Sequence, residues 1–183
     1  MVRRFTPAVL MLCLCGVLYA AENSNLWLDV PFVKQDKEGC GAASISMVMQ
    51  YWQRQQKHPD NPNASFDRIQ HALHSNAAHG IYASDMERYF RENGYSTFAF
   101  TGQLSDLAHH LEKGRPLIAA LKPGAGLPLH YVVVAGLSPD RQLVIVNDPA
   151  ERKLLNVDYS RFDQDWKAAG YWTLLVVPVP DTH

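Results

Sequence analysis

The sequence predicts an α+β domain in which helices come first and an antiparallel sheet follows. Apolar residues recur at helical spacing in the first half of the chain, whereas the second half contains β-rich runs separated by turn signals. These runs cover residues 129–137, 142–147 and 171–177. With 183 residues, the chain is long enough for one domain with a full hydrophobic core.

The N-terminus has the layout of a secretory signal peptide. Two arginines precede an apolar run over residues 8–18, and small residues follow at Ala20 and Ala21. The apolar run is shorter than the ~18–20 residues that span a bilayer. We therefore expect cleavage after Ala20 or Ala21, so that residues 1–21 are removed as a signal peptide.

Residues 22–183 are expected to form a single exported domain that works in the periplasm or outside the cell. Lipidation of Cys15 is a weaker alternative, because Leu14 stands where a lipoprotein site needs a small residue. Processing removes Cys13 and Cys15 and leaves Cys40 as the single thiol, so no intramolecular disulfide can form. An unpaired cysteine in an oxidising compartment is a liability unless it is buried or used, which favours a functional role.

Charge composition argues against several classes of partner. The 17 lysines and arginines nearly balance the 18 aspartates and glutamates, and the sequence has no basic run or basic helix face. Nucleic acid and anionic membrane surfaces are therefore not expected as main partners. We expect a monomer that needs no cofactor and that touches a membrane only through its N-terminal segment, if that segment is not cleaved.

Cys40 stands at the start of the helix around which the domain is predicted to form. An extended segment and a polar loop lead to this cysteine. Apolar side chains then recur at steps of three and four residues, at Ala43, Met47, Val48, Tyr51 and Trp52. A helix N-terminus stabilises a thiolate through the helix dipole and unpaired N–H groups, which makes a cysteine nucleophilic. The usual alternative for a lone cysteine is a buried, inert side chain.

The remaining elements are predicted from the same kinds of pattern. A helix over residues 65–74 is followed by one that begins at Ser84, whose hydroxyl forms a capping box with Glu87, and ends at Gly94. The other predicted segments are a strand over 95–100, a helix over 105–113, a strand over 116–121 and a helix over 160–169. The runs 129–137 and 142–147 are predicted to form an antiparallel hairpin.

His130 is the candidate partner of the cysteine. A cysteine nucleophile needs a base, which is usually oriented by an Asn or Asp. His130 differs from the other histidines because it follows a flexible loop, residues 122–128, and opens the most apolar strand of the chain. In the hairpin, the end of the second strand lies beside the start of the first, which brings Asn147 and Asp148 near His130. Their side chains point to opposite faces, so only one of the two can reach the imidazole.

Gln35 lies in the loop that leads to the cysteine. Its side-chain amide, together with the backbone N–H of Cys40, could hold the oxyanion of a tetrahedral intermediate. Three stretches, residues 35–43, the strand 130–134 and the turn 148–150, follow in this order along the chain. Together they resemble the bacteriocin-processing cysteine peptidases, the double-glycine leader branch of the papain-like superfamily.

The resemblance implies a papain-like fold and a peptide or protein substrate. Carried over residue by residue, it implies that Cys40 is the nucleophile, His130 the base, Asp148 the orienting carboxylate and Gln35 part of the oxyanion hole. The familiar members are joined to an ATP-driven exporter, whereas this sequence contains neither membrane spans nor a phosphate-binding glycine loop. We therefore expect a stand-alone, exported member that cleaves peptides in the cell envelope or outside the cell.

The same residues allow other interpretations. A cell-wall amidase would also place a cysteine at a helix start, but its typical Asp-Cys-Ser-Gly surround is replaced here by Gly39-Cys40-Gly41. The fold could also serve as a peptide-binding module with an idle site. Zinc binding by His71 and His74 lacks thiolate support and obvious further ligands. Gly39, Gly41 and the glycine-rich loop before His130 are expected to form a narrow cleft that favours Gly or Ala just before the scissile bond.

Overall fold

A computed structural model of the chain describes residues 26–56, 61–124 and 126–180. The predicted signal peptide, residues 1–21, lies outside the described residues. The helices are α1 (Cys40–Gln56), α2 (Phe66–Leu73), α3 (Ala83–Glu92), α4 (Leu104–Glu112) and α5 (Tyr159–Ala168). The strands are β1 (Leu26–Trp27), β2 (Tyr95–Thr101), β3 (Leu117–Leu121), β4 (His130–Ser138), β5 (Leu143–Asn147), β6 (Leu155–Asp158) and β7 (Trp172–Pro178). Within the described ranges, no helix is both long and apolar enough to cross a membrane.

The strands form one antiparallel sheet in the order β2-β7-β3-β4-β5-β6, with β1 attached to β4. One edge of β4 is shared by β3, which pairs with residues 130–134, and by β1, which pairs with Gly136 and Leu137. The other edge pairs with β5. Helices packed on an antiparallel sheet confirm the predicted α+β class.

Both faces of the sheet are covered by helices. Alternate residues of a strand point to opposite faces, and β4 follows this rule. Tyr131, Val133 and Ala135 pack in one cluster with apolar residues of α1, α2 and α3. Val132 and Val134 pack in a second cluster with residues of α4 and α5. The second helical layer is a feature that the simple order of helices followed by strands did not predict.

The start of α3 differs from the sequence-based prediction. The N-cap is Tyr82, whose side chain makes no capping hydrogen bond, and the helix begins at Ala83. Ser84 is therefore already inside the helix and cannot form the predicted capping box. A capping box is present instead at α4, between Gln103 and Asp106.

Two strands, β1 and β6, were not predicted from the sequence, because they are only two and four residues long. The backbone of β1 approaches β4 closely at Gly136, where an added Cβ would lie 2.5 Å from the carbonyl oxygen of Leu26. A glycine is needed at this point of β4, because any side chain would push β1 off the sheet. This contact fixes the start of the segment that leads to Gln35 and Cys40.

Candidate active site

Cys40 is the first residue of α1, as predicted. A tight turn precedes it, in which the N–H of Gly39 donates to the carbonyl of Asp36 over 3.0 Å. Because Cys40 lies in the first helical turn, its N–H has no acceptor within the helix. The residue is only 8% exposed. It nevertheless lines an open cleft.

The glycines beside Cys40 serve packing within the protein. A Cβ on Gly39 would lie 2.8 Å from Cζ of Phe66, and one on Gly41 would lie 3.1 Å from Cβ of Ile81. The space that the sequence suggested for a substrate backbone is thus filled by side chains of the domain itself. These two glycines therefore give no support to the expected preference for Gly or Ala before the scissile bond.

His130 and Asp148 form an ion pair beside this helix end. Nε2 of His130 lies 2.7 Å from Oδ1 of Asp148, which also accepts a hydrogen bond from the N–H of Ala150 over 2.9 Å. The strand register explains this pair, since Asn147 of β5 lies opposite Val133 of β4. Asp148, the next residue, therefore lies near the N-terminal end of β4, where His130 is located.

The imidazole of His130 also forms a hydrogen bond with Cys40. Because Nε2 faces Asp148, Nδ1 is the nitrogen available to the thiol. Burial alone would lower the pKa of His130, but the hydrogen bonds and charges of Asp148 and Cys40 outweigh it and raise this pKa to about 10. The ring is therefore held in its protonated form at neutral pH.

Asp148 is kept ionised by its surroundings. Burial raises the pKa of a carboxyl group, but here the hydrogen bond and charge of His130 oppose it, together with the backbone N–H groups of Ala150 and Glu151. The resulting pKa of Asp148 lies below its usual value. The imidazole therefore lies between a carboxylate and a thiol.

Asn147 points away from this pair, into the protein interior, so the structure brings Asp148 and not Asn147 to the imidazole. Asn147 is fully buried. Its amide donates to the carbonyl of Val30 over 3.1 Å and to that of Pro31 over 3.3 Å, and its Oδ1 accepts from the N–H of Leu154 over 2.9 Å. Asn147 thus holds the segment between β1 and α1 against the end of β5. The sequence did not reveal this role.

Gln35 lies further along the same segment, between Pro31 and Cys40. Its N–H donates to the carbonyl of Pro149 over 3.0 Å, so the turn that carries Asp148 also holds Gln35. The side chain lines the cleft with Cys40 and His130. Its buried Oε1 has no hydrogen-bond partner among the described residues. The structure therefore brings together all four residues that the sequence singled out.

The cleft has a volume of about 680 Å³. Its lining comprises Gln35, Glu38, Cys40, His79, Pro123, Gly126, Leu127, Pro128, Leu129 and His130. Two of these residues, Glu38 and His79, were not predicted to belong to the site. The carboxylate of Glu38 bonds to Nε2 of His74 at 3.1 Å and to Nδ1 of His79 at 3.2 Å. These histidines lie 36 and 41 residues away along the chain, so no local pattern could have revealed the contacts.

Metal binding by His71 and His74 finds no support in this arrangement, because His74 is engaged by Glu38. In the part of the chain that the structure describes, no group of three or more His, Cys, Asp or Glu side chains could hold a metal ion.

A sequence model described as the Peptidase C39 like family matches residues 27–174. The chain belongs to this family. The match spans the segment between β1 and α1, helix α1, strand β4 with His130, and the turn after β5 with Asp148. The protein is therefore a cysteine peptidase, a hydrolase that acts on peptide bonds, as the sequence resemblance implied. No curated protein matches the chain.

Solved structures with similar folds include peptidase domains of two transporters. The peptidase domain of Streptococcus ComA, a bi-functional ABC transporter involved in a quorum sensing pathway, is 20% identical, with a TM-score of 0.63 over 80% of this chain and 97% of that domain. A double glycine motif protease from an AMS/PCAT transporter, solved in complex with its leader peptide, is 20% identical, with a TM-score of 0.63 over 84% of this chain and 94% of that protein.

A further similar structure is a putative C39-like peptidase from Bacillus anthracis. It is 18% identical, with a TM-score of 0.60 over 84% of this chain and 98% of that protein. These matches show that the C39-like chain shares the helix-on-sheet architecture of these three solved proteins.

Replacement of Asn147 by Ala is expected to destabilise this C39-like domain strongly. The change leaves the carbonyls of Val30 and Pro31 and the N–H of Leu154 without their buried partner, which should lower the free energy of unfolding by about 2–3 kcal/mol. Asn156→Ala, on the exposed side of β6, is the matched control and should change it by less than ~0.5 kcal/mol. Urea denaturation measures the free energy of unfolding of both variants. Equal losses in the two variants would contradict the role of Asn147 in holding the segment between β1 and α1.

Alkylation of Cys40 is expected to depend little on pH in the neutral range. Since the pKa of His130 is raised to about 10, its positive charge persists below that value and is lost only as the pH rises through it. The rate with iodoacetamide should therefore change less than about threefold between pH 8 and 6. In His130→Ala, the rate should fall about tenfold per pH unit below ~8.5, the value for a free thiol. The same steep fall in the wild type would contradict a charged His130.

Proposed function

We propose that the protein is an exported peptidase that cleaves peptide bonds through a Cys40–His130–Asp148 triad, with Gln35 in the oxyanion hole. The observation that carries this proposal is the continuous chain of contacts from the thiol of Cys40 through the imidazole to the carboxylate of Asp148, at the wall of an open cleft. Nucleophile, base and orienting group in this geometry are the requirements for acyl transfer.

In the first half of the proposed reaction, the thiolate of Cys40 attacks the carbonyl carbon of the scissile bond. The π electrons of the carbonyl move to oxygen, which becomes an oxyanion. Collapse of this tetrahedral intermediate breaks the C–N bond, and the imidazolium of His130 gives its proton to the departing amine. The acyl group remains on Cys40 as a thioester, and His130 is left neutral.

In the second half, neutral His130 takes a proton from water, and the hydroxide attacks the thioester carbonyl. The second tetrahedral intermediate then releases the thiolate and the carboxylic acid product. Asp148 keeps the imidazole in one orientation and stabilises its charged form during both halves.

The oxyanion in this proposal receives two hydrogen bonds. One comes from the N–H of Cys40, which has no acceptor inside the helix. The other comes from the side-chain amide of Gln35, which lines the same cleft. The hydrogen bond from the N–H of Gln35 to the carbonyl of Pro149 supports this role, because donors that are fixed in advance contribute most to catalysis.

A peptide is the substrate class that the comparisons favour. A protein of the same fold was solved with a leader peptide bound to it. The open cleft of about 680 Å³ can accept several residues of an extended chain. For this chain we propose a peptide substrate met in the periplasm or outside the cell, since the sequence before residue 22 has the pattern of a cleaved signal peptide.

Activity of the mature protein on a mixed peptide library should depend on the four proposed residues. Cys40→Ala and His130→Ala should each lower kcat/KM at least about a thousandfold, because the chemical step is lost. Asp148→Ala should cost about 10²–10⁴-fold, and Gln35→Ala about 10²–10³-fold. Asp140→Ala, in the exposed turn after β4, is the control and should leave kcat/KM unchanged.

A different outcome of that assay would support the idle-site alternative. If the wild type cuts no peptide while a peptide still binds to it, the domain is a binding module. Full activity of Cys40→Ala would contradict the proposed nucleophile itself.

Export can be tested on the full chain in a bacterial host. The mature protein should be found outside the cytoplasm and begin at Ala21 or Glu22, as read by N-terminal sequencing. Leu14→Arg interrupts the apolar run and should leave the protein in the cytoplasm with an intact N-terminus, whereas Leu14→Ile should behave as the wild type. A wild-type protein that stays in the cytoplasm uncleaved, or that carries lipid on Cys15, would contradict the proposed processing.

A further inference from the structure

Glu38 gives the cleft a fixed negative charge close to the nucleophile. It precedes Cys40 by two residues and lines the same cleft. Among the described residues of the lining, it is the only Asp, Glu, Lys or Arg. The neighbouring Lys37 is not part of the lining. A substrate that enters the cleft therefore meets the carboxylate of Glu38, while the positive charge of His130 is already paired with Asp148.

The carboxylate of Glu38 is held in place from two sides. His74, the C-cap of α2, bonds to Oε2, and His79, in the turn between α2 and α3, bonds to Oε1. The hydrogen bond of His74, followed by that of His79, holds the pKa of Glu38 below its usual value, so that it is ionised at neutral pH. A group fixed in this way loses little conformational entropy when a ligand binds to it.

Glu38 has an unusual backbone conformation. Its φ angle is +57°, in the left-handed region that glycine, asparagine and aspartate occupy most readily. A glutamate there is strained relative to an ordinary conformation, and the contacts with His74 and His79 hold it in place.

The rest of the cleft lining is largely apolar. It comes from the loop that leads to His130, and Leu127 and Leu129 are exposed large apolar side chains of that loop. The cleft therefore offers a carboxylate from one segment and apolar surface from another, with Cys40 and His130 as the reactive pair. A peptide that complements both would carry a positive charge and an apolar side chain near the scissile bond.

We propose that Glu38 is a specificity-determining residue that selects a lysine or arginine side chain at one of the two substrate positions flanking the scissile bond. This inference rests on the proposed peptidase function and names its substrate class as basic peptides. The carboxylate accepts hydrogen bonds from the cationic side chain, and the charge attraction strengthens the contact. Substrates with an acidic side chain at that position are disfavoured because like charges repel.

The test compares peptides that differ at a single position. Two fluorogenic peptide series carry lysine, norleucine or glutamate either just before or just after the scissile bond, in an otherwise identical sequence. For the wild type, the ratio of kcat/KM for lysine over norleucine should be about three- to tenfold in one of the two series. It should shrink as NaCl is raised from about 0.05 to 0.5 M, because salt screens the attraction.

Substitutions test whether Glu38 causes the preference for lysine. In Glu38→Gln, which keeps the side-chain size, the ratio should fall to about one. Glu38→Lys should favour the glutamate peptide instead. Glu112→Gln also removes one negative charge, but lies at the end of α4 on the other side of the sheet, and should keep the wild-type ratio.

Failure of this proposal differs from failure of the peptidase function. If cleavage requires Cys40 but the wild-type ratio is near one in both series, or survives in Glu38→Gln, the role of Glu38 is overturned while the peptidase function stands. If Cys40→Ala is as active as the wild type, the proposed function itself fails. The salt dependence is measured on the wild type and needs no variant to fold.

Discussion

The register between β4 and β5 determines where the side chains of the active site lie. Asn147 sits opposite Val133, so the chain leaves β5 next to the first residue of β4. A slip of one residue would exchange the faces on which Asn147 and Asp148 point. The carboxylate would then enter the core, and the amide that binds Val30 and Pro31 would face His130. The same pairing therefore orients the imidazole and fastens the segment that carries Gln35.

The electrostatics of the site follow from partial burial. Moving an imidazole and a carboxylate out of water opposes the charged forms of both, yet each supplies the other with a hydrogen bond and an opposite charge. The backbone N–H of Ala150 adds a further donor to the carboxylate. The pair is stable in its charged form because the partners are fixed by β4 and by the turn at Pro149, and need little rearrangement.

Much of this arrangement could be predicted from the sequence. Cys40 at a helix start, His130 at a strand start and Asp148 after the next strand are local signals, because each depends on periodicity and turn residues a few positions away. The antiparallel hairpin then brings the last two together. The hairpin alone left the choice between Asn147 and Asp148 open, and only the family resemblance implied Asp148. The pairing of Glu38 with His74 and His79, and the filling of space at Gly39 and Gly41 by Phe66 and Ile81, depend on how separate segments pack. No local pattern contains that information.

The attachment of β1 to β4 has a mechanical consequence. Leu26 pairs with Leu137, and the N–H of Leu28 donates to the carbonyl of Ala135 over 2.7 Å. Further along the chain, the side-chain amide of Asn147 donates hydrogen bonds to the carbonyls of Val30 and Pro31. A pull on the chain ahead of residue 26 is thus resisted at two successive points before any of the load reaches Gln35. The geometry around Cys40 is therefore protected from tension applied at that end of the described chain.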